Sequence, residues 1–408
     1  MMKSVEHIRR EVEAAAALPL ERATTLPKQA YTDESYFRFE AETALKADWI
    51  CVAHVSQLKQ PGSFITVDLL DEPLLVTRAK TGAIHVLSRV CPHRAMDIMP
   101  EGFDYPRAGR ASKLVCPYHS WTFEFDGRLK SCPEMHQVAD FEKSDWKLAE
   151  IRSAVWQGFV FVNLSGEAPA LADQYADFAP LVAPWRMDEL EVVIELEWDC
   201  PFNWKVMIEN WIESYHHLGI HNATLNPMMP AKNTWTEPEH PHFIHCHLPF
   251  KQKYVTEIER ATKGGPQPAG FTPIPGLPLA DQIQWNLYIG YPCFMLATMR
   301  DRVIWYRLLP VSAERCKLLT TTLVQPESRA AADYAETLAA ETKMLTDFHL
   351  EDMVVNTAVQ RGLHSSYVVR GRLSHLEMPV WLIQRYLAAR GQGRYPGDDP
   401  QLFGTAAE

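Results

Sequence analysis

Two short strings, Cys91-Pro92-His93-Arg94 and Cys116-Pro117-Tyr118-His119-Ser120-Trp121-Thr122-Phe123, decide how the first half of this chain is read. Each supplies one thiolate and one imidazole, in the spacings Cys-x-His and Cys-x-x-His. Two such loops facing each other gather four metal donors at one place. A structural zinc accepts a mixed cysteine and histidine set. So does a two-iron, two-sulfur cluster with both thiolates on one iron and both imidazoles on the other. Neutral imidazoles in place of thiolates raise the reduction potential of such a cluster, which suits an electron relay.

Outward from these strings the pattern is β-rich. Short runs at Phe64–Leu70, Leu74–Thr77, Ile84–Leu87, Thr122–Phe125 and Phe159–Asn163 are separated by turn residues, including Pro61-Gly62, Thr81-Gly82 and Asp126-Gly127. This predicts a small all-β domain over residues 46–167. Within the spacer 94–115, Glu101–Ser112 reads as a polar loop insertion. Cys132 has no histidine at matching spacing and reads as a buried thiol. Residues 1–45 have a helical pattern and form an arm.

A stretch rich in Ala, Asp and Pro follows, up to about Met187. Strand-like Glu191–Trp198 then opens a second domain over residues 188–390. It contains a helical stretch at Trp204–Tyr215, strands at Phe243–His247, Trp285–Gly290 and Val303–Leu309, a Gly/Pro-rich segment at Lys263–Pro278, a long helix over 330–363 and another over 379–389.

The second constellation lies in Asn203-Trp204-Lys205 … Glu209-Asn210-Trp211-Ile212-Glu213-Ser214-Tyr215-His216-His217-Leu218-Gly219-Ile220-His221. Two histidines and one carboxylate on one face of a ferrous ion leave positions open for dioxygen and substrate. On an ideal helix His217 and His221 share a face at i, i+4, whereas His216 and His221 do not. Helical geometry alone therefore favours His217.

Taken together, the Cys-Pro-His-Arg and Cys-Pro-Tyr-His-Ser-Trp-Thr-Phe strings and the Glu213…His216…His221 segment closely resemble the two signatures of the α subunit of Rieske non-haem iron ring-hydroxylating oxygenases. The resemblance covers roughly residues 45–390. It implies that Cys91, His93, Cys116 and His119 hold a Rieske [2Fe-2S] cluster. It implies that His216 and His221 bind a mononuclear Fe(II), with Asp352 of Leu350-Glu351-Asp352 as third ligand. This selects His216 over His217 and requires the helix to break near Gly219. The family usually has Asp where Glu213 stands, bridging an iron-ligating histidine to a cluster-ligating histidine of the neighbouring chain; Glu resembles the variant of oxygenases that act on quaternary ammonium compounds. Here that bridge joins His216 to His119 of an adjacent chain.

The resemblance further implies an α+β fold: an N-terminal all-β Rieske [2Fe-2S] domain and a C-terminal helix-grip (START/Bet v 1-like) catalytic domain with an antiparallel sheet. It implies a head-to-tail homotrimer, with or without a small β subunit. No Gly-x-Gly-x-x-Gly and no four-cysteine ferredoxin pattern occurs, so electrons must come from a separate NAD(P)H-dependent reductase, with or without a ferredoxin. The expected reaction uses O2 to hydroxylate or N- or O-demethylate a small organic substrate. The alternatives are cis-dihydroxylation of an aromatic ring and, from other classes, a Rieske electron carrier or a small-molecule-binding domain fused to a Rieske module.

Composition sets the outer bounds. The chain has 408 residues and a net charge of -11, which disfavours nucleic acid and anionic membrane as partners. No apolar run is long enough to span a bilayer, and Glu6, Arg9, Arg10, Glu11 and Glu13 precede a short Ala run, unlike a signal peptide. A cytoplasmic protein is expected, its eight cysteines divided between ligands and buried thiols. Three weaker signals remain. His240, His242, His245 and His247 read as solvated histidines of an edge strand rather than a metal site. Lys263–Pro278 reads equally as a lid or as a surface loop. Trp285–Met295 reads as sheet core more readily than as pocket lining.

Overall fold

The structure, a computed structural model, describes residues 4–100, 102–396 and 398. The chain divides into two compact units, Trp49–Leu171 and the remainder, which joins residues up to Asp48 to those from Ala172 onward. Glu101, first residue of the expected loop insertion, lies outside the described residues.

The arm is built from α1 (Val5–Ala16), α2 (Gln29–Thr32) and α3 (Glu34–Glu40). The Ser4 and Asp33 side chains cap the first and third by accepting from the amides of His7 and Tyr36, which satisfies donors that a helix start leaves without partners. Ile8, Val12, Ala15 and Ala16 form the buried stripe of α1.

The Trp49–Leu171 unit is all-β. Its strands are β1 (Ile50–His54), β2 (Ser63–Leu69), β3 (Glu72–Arg78), β4 (Ile84–Ser88), β5 (Ala108–Arg110), β6 (Leu114–Val115), β7 (Thr122–Phe123), β8 (Leu129–Ser131), β9 (Ser153–Trp156) and β10 (Phe159–Val162). They form three antiparallel sheets in the orders β1-β10-β9, β4-β3-β2-β5 and β6-β7-β8. The Asp126-Gly127 turn works because Gly127 adopts φ +83°, a region closed to most side chains. Two expectations need correction. The strand expected over Thr122–Phe125 stops at Phe123, with a register shift after Thr122. The expected loop insertion contains β5, which pairs with β2 through Ser63 and Arg110, so backbone pairing holds even its exposed residues.

The second unit opens with α4 (Leu171–Gln174) and α5 (Ala179–Val182). This stretch is no bare tether: Tyr175, Phe178, Trp185 and Met187 are buried, and the Phe178 ring lies on Phe243 and Tyr288. Then follow β11 (Glu191–Cys200), α6 (Trp204–Ile212), β12 (Trp235–Thr236), β13 (Phe243–Pro249), α7 (Gln252–Thr262), α8 (Leu279–Gln282), β14 (Gln284–Gly290), β15 (Phe294–Thr298), β16 (Arg302–Ser312), β17 (Arg315–Val324), α9 (Tyr334–Leu363) and α10 (Met378–Arg390). The strands make one antiparallel sheet, β11-β17-β16-β15-β14-β13-β12. The buried residues of α9 are Glu341, Leu345, Phe348, His349, Asp352, Asn356 and Gln360, a single stripe at helical spacing. Through it His349 stacks on Tyr306 of β16 and meets Thr320 of β17, which seats the helix on one face of the sheet. The fold is thus the α+β arrangement expected, a β unit followed by an antiparallel sheet against a long helix. Among the described residues, no helix is long and apolar enough to cross a membrane.

Candidate metal centres

In the first unit, the two loops that carry Cys91-Pro92-His93 and Cys116-Pro117-Tyr118-His119 are built alike. The Cys91 amide donates to the Met96 carbonyl and the Ala95 amide to the Cys91 carbonyl; the Cys116 amide donates to Trp121 and the Ser120 amide to Cys116. Ala95 and Ser120, at the same place in each loop, both take a left-handed conformation, φ 55° and 60°. This shared turn carries each cysteine into the core, where both are buried with Trp121, Phe123 and Leu148, and carries each histidine outward. The result is segregation. Burial, with the Cys116 thiol beside it, pushes the Cys91 thiol up to about 11. The His93 and His119 rings meet edge to face at 4.6 Å, and Trp121 stacks on His93 at 4.8 Å. Burial, then the His119 and Arg94 charges, lowers the His93 pKa.

A tetrahedral zinc would draw its donors to within about 3.5–4 Å of one another. Among the described residues these four do not form a group of three donors within 4.8 Å. Thiols on one side and imidazoles on the other fit a two-iron cluster, with one iron for each pair.

In the second unit, His216, His221 and Asp352 place one donor atom each within 4.8 Å of one another. The sequence led to a helix continuing to Tyr215 and breaking near Gly219. Instead α6 ends at Ile212 and Glu213 is extended, φ -104° and ψ 164°. The cause is the Glu213 carboxylate. One oxygen accepts from the backbone amides of Tyr215 and His216, capping the next turn, and the other meets His216 Nδ1 at 2.6 Å. Glu213 is therefore a buried residue gripping His216, which leaves His216 Nε2 for a metal. His217 is buried alongside but stands outside the converging set. Burial, then the His216 and His221 charges, pushes its pKa down to about 3.

His221 is held from both ring nitrogens. Nε2 lies 3.0 Å from Asp352 Oδ1 and Nδ1 lies 2.6 Å from Glu351 Oε2, an oxygen that also accepts from the Thr224 hydroxyl at 3.0 Å. Burial alone would lower the His221 pKa, but the carboxylates of Asp352 and Glu351 outweigh it and raise it. Sequence reasoning assigned Glu351 no role, although it stands beside Asp352. Two imidazoles, each fixed by a carboxylate, plus a third carboxylate as donor suit a ferrous ion with open positions.

A cavity of about 330 Å³ lies in the same unit, walled by Phe250, Tyr254, Glu257, Trp285 and Met344. Trp285 is on the sheet face that meets α9: it alternates with Ile289, which pairs through Met295 to Tyr306. Met344 precedes Asp352 by two turns of α9, about 12 Å along the axis. Arg300, Asp301 and Arg302 also line it, and so do Pro268 and Ala269, so the Gly/Pro-rich segment helps enclose the cavity.

Two loops on a β unit, each with a buried cysteine and an outward histidine, and a two-histidine, one-carboxylate group under a long helix define an iron–sulfur protein with a second, mononuclear iron. The chain matches the Rieske [2Fe-2S] domain over residues 48–142 and the ring hydroxylating α subunit catalytic domain over residues 187–393. It belongs to the Rieske non-haem iron oxygenases, enzymes that incorporate oxygen from O2, with a [2Fe-2S] cluster and a mononuclear iron as cofactors. It is 27% identical over 364 residues to the glycine betaine monooxygenase oxygenase subunit of Chromohalobacter salexigens, covering 84% of this chain and 80% of that one. It is 33% identical over 197 residues to the carnitine monooxygenase oxygenase subunit of Acinetobacter pittii, 48% of this chain and 52% of that one. Among solved structures, a quaternary ammonium Rieske monooxygenase described in terms of carnitine oxidation and inter-subunit electron transfer superposes with TM-score 0.77 at 25% identity, over 93% of this chain and 98% of that one. Naphthalene 1,2-dioxygenase from Rhodococcus sp. shares the fold, with TM-score 0.76 at 17% identity, over 96% and 99% of the two chains.

Proposed function

We propose that this chain is the terminal oxygenase component of a quaternary ammonium monooxygenase, hydroxylating its substrate beside the charged nitrogen and so removing an N-substituent. The observation that carries this reading is the likeness, over 84% of the chain, to a glycine betaine monooxygenase oxygenase subunit. Phe250, Tyr254 and Trp285 line the cavity, a setting that suits a cation with no N–H to donate, beside Glu257 and Asp301; its arginines are Arg300 and Arg302, and Arg302 is ion-paired with Asp301 and Glu341. The substrates of the glycine betaine and carnitine relatives have that chemistry.

In this reading Cys91 and Cys116 hold one iron of the cluster, and His93 and His119 the other. His216, His221 and Asp352 hold the mononuclear iron, whose chemistry when bound is the activation of O2. Glu213 orients His216 and offers the short path by which an electron arrives from His119 of a neighbouring chain. That path calls for a homotrimer, and the electrons for a separate NAD(P)H-dependent reductase, with or without a ferredoxin.

Iron, acid-labile sulfide and the EPR spectrum of reduced protein test the site assignment. Wild type should hold about three irons per chain, and Asp352→Ala about two with an unchanged Rieske signal. Zinc without labile sulfide would overturn the reading. Turnover of glycine betaine or carnitine under labelled O2 tests the reaction: a single labelled oxygen per product is expected, and two would favour dihydroxylation.

A further inference from the structure

Of the four histidines expected to be solvated on an edge strand, His245 and His247 are not. β13 lies between β12 and β14, and His245 and His247 are 7% and 8% exposed. They occupy alternate positions of β13, so both side chains leave the same face of the sheet. The antiparallel register sets Trp235 of β12 opposite His247, and the Glu237 amide donates to the His245 carbonyl, so Glu237 continues β12 opposite His245. Adjacent strands therefore bring two imidazoles and a carboxylate together, with His247 Nε2 3.3 Å from Glu237 Oε1. One donor atom from each of the three lies within 4.8 Å of the others. Donors about 2.0–2.1 Å from a tetrahedral zinc lie about 3.4 Å apart, a spacing that His247 and Glu237 already have at 3.3 Å.

The surroundings are those of a built site. Gln284 Nε2 donates to His247 Nδ1 at 3.1 Å and to Asn286 Oδ1 at 2.9 Å, and that oxygen is 3.2 Å from His245 Nε2. Trp235 stacks on His247 at 3.6 Å and Tyr288 on His245 at 4.3 Å, which fixes both rings. Partners of this kind orient ligating histidines in metal proteins. Coordination at Nε2 of His247 moves its proton to Nδ1, and the Gln284 amide then turns its oxygen to accept it.

This group is separate from the iron centre. His245 pairs with Tyr288, then Leu296, then Trp305, one register position from Tyr306, which faces α9. It therefore stands on the opposite face of the sheet. We propose that Glu237, His245 and His247 form a second metal site, taking a zinc-class divalent cation with solvent at the fourth position. Its structural effect is a clip. β12 is two residues long and is the edge of the sheet, and the chain enters it from the segment that carries His216 and His221. A metal across β12 and β13 fixes the far end of that segment.

The test uses purified holoenzyme equilibrated with excess zinc chloride, desalted, and analysed for zinc, iron and labile sulfide. Wild type should retain about one zinc per chain with its iron and sulfide unchanged. Glu237→Gln, at a side chain 43% exposed and so tolerant of change, and His247→Asn should each lose that zinc and keep the iron and the cluster. Cobalt in place of zinc should give the visible absorption of a four-coordinate ion in wild type and not in Glu237→Gln. Wild type that retains no zinc overturns the proposal. So does zinc gained with an equal loss of iron, or zinc still held by both variants.

Discussion

Replacing Glu351 with glutamine perturbs the mononuclear iron through one imidazole. Glu351 Oε2 lies 2.6 Å from His221 Nδ1 and fixes which ring nitrogen faces Asp352. Removing a carboxylate that orients a ligating histidine weakens metal binding by about 10–100-fold, which is roughly 1.4–2.7 kcal/mol. Glu351 is 35% exposed, so solvent screens part of its charge and the lower end applies, about tenfold. The assay is Fe(II) titration of protein that keeps its cluster and has lost the mononuclear iron. Acidity gives the experiment a second arm. The His221 pKa is raised by Asp352 and Glu351 against the effect of burial, so in wild type a proton competes with iron at a higher pH than for an ordinary histidine. Glutamine removes one of those carboxylates and moves the competition to lower pH. The tenfold gap should be full at pH 8 and shrink towards pH 6. Equal affinities at pH 8, or a gap that widens on acidification, would refute the reasoning.

Two further outcomes are expected. Glu213→Gln keeps the shape of the residue that ends α6 but weakens its hold on His216 Nδ1; with the mononuclear iron replenished by excess Fe(II) and the sulfide content unchanged, steady-state product formation should still fall about 10–100-fold, as metal counts beside turnover rates will show. Burial pushes the Glu209 carboxyl up to about 7, with the Tyr31 hydroxyl donating to both its oxygens. A raised carboxyl favours the protonated folded state, so this contribution, up to about 3 kcal/mol, is present below about pH 4.5 and is lost as pH rises to 7. Thermal melts from pH 5 to 8 should show wild type losing stability relative to Glu209→Gln as pH rises; parallel curves would count against it.

The cluster loops were legible because their information is local. Cysteine, proline and histidine at fixed offsets, followed by Trp121 and the Asp126-Gly127 turn, specify a strand–loop–strand unit without distant partners. The helical pattern of α9 was legible too, but its buried stripe was not, since Glu341, His349, Asp352, Asn356 and Gln360 make it mostly polar, and Asp352 came from the resemblance. The end of α6 was not legible. Nothing in helix propensity stops the chain at Ile212; a side chain that prefers the amides of Tyr215 and His216 does, and that competition appears only once the backbone is in place. The histidines of β13 were misplaced because β12, two residues long, leaves no alternation to detect, so β13 passed for an edge. Glu351 had a signal, its adjacency to Asp352. But neighbours on a helix point about 100° apart, and one imidazole gripped between them requires the segment carrying His221 to cross the helix there.

The division of the chain into Trp49–Leu171 and everything else makes the iron–sulfur unit an insertion into the unit that binds the mononuclear iron. On the ribosome this separates the halves of one folding problem in time. α1 rests against α10, with the Trp381 indole donating to the Leu18 carbonyl at 2.8 Å. At about 5–20 residues per second, the arm waits some tens of seconds for that partner, while the β unit between them is complete and able to fold first. Until then the apolar stripe of α1, Ile8, Val12, Ala15 and Ala16, has only α2 and α3 of the arm itself to pack on. Nascent chains halted before α10 should be held by a chaperone at the arm, with the cluster-bearing unit already resistant to protease.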